Sequence, residues 1–325
     1  MNAARLSICM PTYNYGRFIA AALQSIPDRA DHRSVEIVVL DGGSTDETAA
    51  VVAEVSSARP NVRYFRRSER GGIDADLARS VSLATGEYCW LLSADDALAE
   101  GALDRMLREI EQGYELVLCN RVWCDAELRP IRPHAWLSEH TDRVVDLSDR
   151  IECSAYLTSA RSLGALFSFM SCIVFRRAAW MSVADEPALN GSHYAHVARL
   201  LSIGLAGGRL KYIADPLVLC RGGTDSFRAG GLASRLLIDL RGYKAIAAAV
   251  FPGDDALQSD VKTVVRKEHP WHRWVKARSE TSDVSHWNEV EAMLGEFGYS
   301  RGGVLLIEPL GRILRGMRRL APSRP

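Results

Sequence analysis

No stretch of this 325-residue chain is apolar for long enough to cross a bilayer: its longest uninterrupted run, Ala245 to Phe251, falls far short of the roughly 20 residues a span requires. Met1 to Met10 hold one arginine and a short apolar run that breaks at Pro11, too brief for a secretory leader. Net charge is lacking too. Lys plus Arg and Asp plus Glu each number 40, so no global excess favours a nucleic-acid binder held by phosphate neutralisation. The seven cysteines, from Cys9 to Cys220, are odd in number and include no C-x-x-C pair, which argues against a disulfide framework or a zinc site. Reduced thiols in a cytoplasmic protein are the expectation. Neither G-x-G-x-x-G nor G-x-x-x-x-G-K-[ST] follows an apolar run, and G-x-S-x-G is missing, which removes the commonest dehydrogenase, NTPase and hydrolase readings. What is there, 47% hydrophobic and 25% charged residues, is ordinary globular composition.

The first 120 residues alternate two hydrophobic periods. Leu6 to Met10, Val35 to Leu40, Val62 to Phe65, Tyr88 to Leu92 and Leu116 to Cys119 are nearly continuous apolar runs, as in strands buried on both faces of a parallel sheet. Between them Phe18, Ile19, Ala22, Leu23 and Ile26 recur at helical spacing, as do Leu103, Met106, Leu107 and Ile110. Ser44-Thr45-Asp46-Glu47 has the spacing of a capping box, which predicts a helix starting at Ser44. Strands alternating with helices imply an open α/β sheet whose ligands bind beyond the carboxyl ends of the strands. Later, Cys172 to Phe175, Lys211 to Ile213 and Leu217 to Cys220 read as strands, His196 to Ile203 as a helix, and everything after Gly231 as helices joined by polar loops. The expected division is a sheet domain over 1–228, with halves 1–120 and 121–228, followed by a helical region over 229–325.

Three strand ends then matter: Pro11-Thr12-Tyr13-Asn14-Tyr15-Gly16, Asp41-Gly42-Gly43-Ser44-Thr45-Asp46, and Ser93-Ala94-Asp95-Asp96. Adjacent carboxylates at a strand end suit a hard divalent cation that keeps positions for diphosphate oxygens and water. The bland reading is that Asp41 only shapes a turn and that Asp95-Asp96 cap a helix.

The strings LSICMPTYNYGRFIAAALQSI, VEIVVLDGGSTDETAAVV and GGIDADLARSVSLATGEYCWLLSADDAL resemble, as an ordered set over Leu6 to Leu107, the amino-terminal half of family 2 inverting glycosyltransferases of the GT-A fold. Gly71-Gly72-Ile73-Asp74 followed by GEYCWLLS is similar to the abequosyltransferase-like subgroup of bacterial surface polysaccharide assembly. The resemblance implies an α/β GT-A architecture with a mostly parallel sheet flanked by helices, carrying here a C-terminal helical extension. It implies that Pro11, Thr12 and Tyr13 meet the base and ribose of a nucleotide-diphosphate sugar, that Asp41 contacts the base, and that Asp74 and the Ser93-Ala94-Asp95 turn complete the donor side. Asp95 falls on the metal-ligating position, for Mg²⁺ or Mn²⁺. Three departures stand out: Ser93 replaces the first Asp of the D-x-D signature, Gly42 replaces the second Asp of the usual Asp-Asp-Gly-Ser turn, and Ser192-His193 stands where the family places a Glu-Asp pair.

An inverting transfer needs a base within hydrogen-bond reach of the acceptor hydroxyl. With carboxylates missing there, His196 or His193 is the expected base, since a neutral imidazole can accept that proton. Arg221, before Gly222-Gly223, is expected to contact diphosphate or acceptor, with Arg67 and Arg70 as weaker candidates. His269 and His272, between Pro270, Trp271 and Trp274, read as a packing cluster without metal. After Pro309, Leu310, Ile313, Leu314, Met317 and Leu320 share one helical arc and Arg312, Arg315, Arg318 and Arg319 the opposite one. Such a helix suits an anionic membrane surface, its own domain, or a second subunit. The expected activity is transfer of a hexosyl or deoxyhexosyl group to a glycan acceptor, free or lipid-linked, at the cytoplasmic face of the membrane. The alternatives are a catalytically degenerate sugar-nucleotide or glycan binder and a membrane-associated assembly factor.

Overall fold

The computed structural model describes residues 4–28, 34–224, 231–281 and 284–320. The chain divides into two compact units, 1–224 and 225–325. In the first, β1 (Leu6–Thr12), α1 (Gly16–Gln24), β2 (Val35–Asp41), α2 (Thr48–Ala58), β3 (Val62–Arg66), α3 (Ile73–Leu83) and β4 (Tyr88–Leu91) alternate as the apolar runs predict. Then come β5 (Ala97–Leu98), α4 (Ala102–Ile110), β6 (Leu116–Cys124), β7 (Pro130–His134), β8 (Arg143–Asp146) and α5 (Arg150–Ser159). The unit closes with β9 (Ile173–Arg176), α6 (Arg177–Ser182), α7 (Ala195–Leu205) and β10 (Arg209–Cys220).

Among the described residues these strands form one sheet, ordered β3-β2-β1-β4-β9-β6-β10-β5, with β7 on β6 and β8 on β10. β3, β2, β1 and β4 are parallel neighbours, as are β6 and β10; β9 runs against both β4 and β6. β3, β2, β1, β4, β6 and β10 therefore point the same way and expose their carboxyl ends along one edge. β1 and β2 are buried at every position, which is why they read as unbroken apolar runs. At the opposite edge Glu36 is buried, yet its carboxyl stays below its ordinary range: burial pushes it up, but bonds from the Ser7 hydroxyl, the Thr85 N–H and Arg63 outweigh that. The seven cysteines are all buried thiols.

Two predicted boundaries move. Lys211 to Ile213 and Leu217 to Cys220 belong to one strand, β10, interrupted by register shifts around Pro216. The helix expected at Ser44 begins at Thr48, because the Ser44 hydroxyl accepts the Asn14 N–H and it is Asp46 that accepts the Thr48 N–H.

The second unit consists of α8 (Gly231–Val250), α9 (Asp255–Glu268), α10 (Trp271–Glu280), α11 (Val284–Glu296) and α12 (Arg301–Leu320). Leu236, Leu240, Tyr243, Val264, Trp274, Leu294 and Phe297 are in its core. His269 is buried, its Nε2 2.7 Å from Asp239 Oδ2, while His272 is exposed, so the pair does not converge. α12 docks through buried Ile307 and Gly311, the latter against the Arg278 side chain, with polar ties beside them: Arg278 donates to Glu308 (3.0 Å), Arg315 donates to the carbonyls of Arg278 (2.7 Å) and Ser279 (3.1 Å), and Arg318 pairs with Glu280 (3.0 Å). Arginines suit the free carbonyls at the carboxyl end of α10. Leu305, Leu306, Ile313 and Met317 are left 53–76% exposed. The side chains of Arg319 and Leu320 lie outside the described residues.

Candidate active site

Because β1 lies between β2 and β4, the three singled-out strand ends are neighbours, about 5 Å from one strand to the next. The first two loops are laced together. Thr12 O accepts the Gly42 N–H (2.9 Å), Ser44 Oγ accepts the Asn14 N–H (2.9 Å), Asn14 Oδ1 accepts the Thr45 N–H (2.8 Å), and Asp46 Oδ2 accepts the Gly16 N–H (2.9 Å). Asn14 has φ 58°, a left-handed conformation that short amide side chains tolerate. The Tyr-Asn-Tyr-Gly and Ser-Thr-Asp strings are thus two halves of one clasp. A third loop joins them: Arg66 donates to Ser44 O (2.7 Å), and the Arg70 guanidinium lies 4.3 Å over the Tyr13 ring.

Asp41 is fully enclosed. Oδ1 accepts the Ser44 N–H (2.7 Å) and Oδ2 the Tyr64 hydroxyl (2.6 Å), whose own pKa is pushed up by burial and by that bond. The direct base contact expected of Asp41 is not available in this arrangement; its carboxylate holds the 42–44 turn instead. Pro11 and Thr12 are also buried, Tyr13 is half-buried, and Thr12 Oγ1 is a buried hydroxyl with no partner among the described residues.

The third strand end is built more rigidly. Ser171, just before β9, accepts the Ser93 N–H (3.0 Å) and donates to Asp96 Oδ2 (2.5 Å), while Arg221 donates its N–H to Asp96 Oδ1 (3.1 Å) and Nε to Asp95 O (2.8 Å). Both Asp96 oxygens are therefore engaged. Burial, and then the neighbouring Asp95 charge, raise Asp96 to about 7. Asp95 differs: Oδ1 accepts the Ser93 hydroxyl, and among the described residues none donates to Oδ2. Ala94 is buried. Arg221 is committed to this turn, to Ala126 O and to the Phe18 ring at 4.9 Å, so the diphosphate or acceptor contact expected of it is replaced by an anchoring role.

The helix carrying the candidate bases, α7, begins at the same edge, because β10 after it runs parallel to β6. Asp74 on α3 accepts the N–H of His193 (3.0 Å) and of Ala195 (3.3 Å), capping α7 across the chain rather than lining the donor site by itself. His193 sits at φ 70° and is half-buried. His196 is buried, its Nε2 is 3.1 Å from Phe167 O, and burial drives its pKa down to about 4. A base so weak and so enclosed is a poor proton acceptor, so His196 is corrected to a packing residue.

Sequence reasoning missed a group on β6, which overhangs its partner β9 by Cys119–Cys124. The Arg121 guanidinium is boxed by Phe169 (4.1 Å), Trp123 (4.6 Å) and Trp136 (4.7 Å), with Nη1 3.2 Å from Cys220 Sγ. No spacing in the sequence unites these residues; only the overhang does. Ser171 was equally unreadable.

Among the described residues no three His, Cys, Asp or Glu converge to hold a metal by themselves. The donor set does fit a hard cation resting on the uncommitted oxygen of Asp95, with diphosphate oxygens and water completing its shell.

Residues 7–179 match the family described as Glycosyl transferase family 2. The chain is similar to abequosyltransferase RfbV of Salmonella typhimurium, with 33% identity over 272 residues, 82% of this chain and 81% of that one. It is 30% identical, over 36% of its length and 38% of the relative's, to a GalNAc(5)-diNAcBac-PP-undecaprenol beta-1,3-glucosyltransferase of Campylobacter jejuni. In fold it is similar to residues 1–349 of S. aureus TarS in complex with UDP-GlcNAc, with TM-score 0.64, 15% identity and coverage of 98% and 93%. A mannosyltransferase of Pyrobaculum calidifontis in complex with GDP-Man and Mn²⁺ matches at TM-score 0.56 and 16% identity, covering 100% and 89%. The expected GT-A architecture is the one observed, and, with a family match over more than half its length and a relative 33% identical over four-fifths of it, this chain belongs to glycosyl transferase family 2 and is a glycosyltransferase.

Proposed function

We propose that the carboxyl-edge site transfers an abequose-like sugar from a nucleotide-diphosphate donor to a hydroxyl of a surface-polysaccharide acceptor such as O-antigen, with inversion. The observation that carries this is Asp95: one uncommitted carboxylate oxygen on a turn pinned by Ser171 and Arg221, one strand away from the laced β1 and β2 loops. The similarity to an abequosyltransferase supports the sugar class. Tyr13, with Arg70 above it, forms the wall for the base; Thr12 offers a hydroxyl and Asp41 keeps the 42–44 turn in shape. Asp95 would hold Mg²⁺ or Mn²⁺, which supplies charge neutralisation at the departing diphosphate.

On the acceptor side, the Arg121 box with Trp123 and Phe169 offers aromatic faces for a sugar ring. The acceptor oxygen forms a bond to the anomeric carbon from the face opposite the diphosphate, the carbon–oxygen bond to phosphate breaks with its electron pair, and His193 takes the hydroxyl proton. Asp74 orients that base through its hydrogen bond to the His193 N–H. Positioning and charge stabilisation supply most of the acceleration, several kcal/mol each, and the base roughly 10²–10⁴-fold. No described helix is long and apolar enough to cross a membrane. The exposed Leu305, Leu306, Ile313 and Met317 beside Arg312 support peripheral attachment to an anionic cytoplasmic leaflet, where a lipid-linked acceptor is reachable.

Incubation with CDP-, dTDP-, UDP- and GDP-sugars and a lipid-linked glycan, read by mass spectrometry, tests the reading. One donor adds one sugar with the intact chain and none with a folded Asp95→Ala variant. No addition from any donor, or undiminished addition by the variant, overturns it.

A further inference from the structure

The residue at position 42 cannot be read from its own turn. The backbone of Gly42 is not in the left-handed region, so conformation does not demand glycine there; occupancy does. A Cβ on Gly42 would stand 2.7 Å from Asp76 Oδ2, closer than real Cβ contacts. Asp76, on the first turns of α3, is 5% exposed, and its carboxylate occupies the space a side chain at 42 would need. Its other oxygen accepts from Arg67 Nη1 at 3.0 Å. Gly71 is equally enclosed: a Cβ there would meet Asp76 Oδ1 at 2.6 Å as well as the Arg67 guanidinium. One buried carboxylate thus links α3 to the loop from Arg67 to Gly72 and fills the space beside both Gly71 and Gly42.

We infer that Asp76 is a positioning residue for the donor nucleotide, supplying from α3 the carboxylate that the turn itself lacks at Gly42. It acts through its bond to Arg67, and by packing against Gly71, to hold the loop that carries Arg70 over Tyr13, the wall assigned above to the base. The inference rests on that assignment of the donor site, but the position of the loop does not. Two consequences separate it from a merely structural acid. A second carboxylate at 42 is intolerable while Asp76 is present, because two buried like charges would share one space. Removing Asp76 opens that space, so a carboxylate at 42 restores function that either change alone destroys.

Four proteins test this: the parent, Asp76→Ala, Gly42→Asp, and the double variant, each checked for native far-UV circular dichroism. In the ligand-free chain, amide exchange of the 67–72 segment rises in Asp76→Ala, while that of 35–41 does not. By calorimetry with Mn²⁺ and UDP, CDP, GDP or dTDP, whichever the parent binds is held about tenfold or more weakly by each single variant, and within about threefold of the parent by the double, roughly 1.4 and 0.6 kcal/mol respectively. Unchanged exchange at 67–72 in Asp76→Ala overturns the inference, and so does a double variant no better than the worse single one. If the parent binds none of the four diphosphates while exchange at 67–72 still rises, the donor-site reading has failed and the role of Asp76 for a nucleotide falls with it.

Discussion

Asp96→Asn should make the protein more stable at mildly alkaline pH and leave it nearly unchanged at acid pH. Asp96 is buried, next in sequence to Asp95, and accepts from Ser171 Oγ and the Arg221 N–H. Burial first, and the Asp95 charge second, raise it from the ordinary 3.8 to about 7. Between those values the folded chain holds a proton that the unfolded chain has released, so the contribution is intact below about pH 4 and is lost as pH rises to about 7. A gap of about 3 units at 1.36 kcal/mol each sets a ceiling on the order of 4 kcal/mol. Asparagine is neutral throughout, can accept from the Arg221 N–H, and can place its amide toward Ser171. Urea unfolding of parent and variant at a series of pH values, without nucleotide or divalent cation because either would stabilise the native state by binding, reads the difference directly. The account requires a variant advantage that grows from near zero at about pH 4 to a few kcal/mol at about pH 8. A difference that does not change with pH would refute the reasoning.

Three further outcomes follow from the geometry. His193→Gln lowers kcat by about 10²–10⁴ with the donor KM little changed, whereas His196→Gln costs about 1 kcal/mol of stability and leaves kcat nearly intact; steady-state kinetics with urea melts separates the two. Gly164→Ala drives a methyl into the Trp136 ring, whose Nε1 is tied to Cys119 O at 2.7 Å, and should cost about 1–3 kcal/mol in a thermal melt. Replacing Leu306, Ile313 and Met317 together with serine abolishes flotation with phosphatidylglycerol-containing vesicles but leaves turnover on a water-soluble acceptor; flotation unaffected by the triple change, or a parent that does not float, contradicts the peripheral attachment.

The parallel half of the sheet was legible because β1, β2 and β4 are buried on both faces and so appear as unbroken apolar runs. β5, β7 and β8 were not: they are short or exposed, and Pro130-Ile131-Arg132-Pro133-His134 has no apolar run to betray a strand. At the site, the positions of Asp41 and Asp95 followed from motif order, but not how their oxygens are spent. Asp41 is sealed by a hydroxyl from Tyr64 and Asp96 is held by one from Ser171, both distant in the chain, while Asp95 spends one oxygen on neighbouring Ser93. The capping-box expectation failed for a related reason. Ser44 had a second donor available, the Asn14 N–H brought to it by parallel pairing of β1 with β2, and local spacing cannot report a partner thirty residues away. α12 likewise showed its two arcs in the sequence, yet the face that packs inward, around Ile307, Gly311 and Arg315, coincides with neither.

On this reading the carboxylate of Asp95 would meet a nucleotide diphosphate through a divalent cation. Isothermal titration of the parent with UDP, CDP, GDP and dTDP, with and without Mn²⁺, and again on a folded Asp95→Ala variant, tests it most directly. The account predicts one nucleoside diphosphate that binds only when Mn²⁺ is present and is held about tenfold or more weakly by the variant. Binding that ignores both Mn²⁺ and the loss of Asp95 would contradict it.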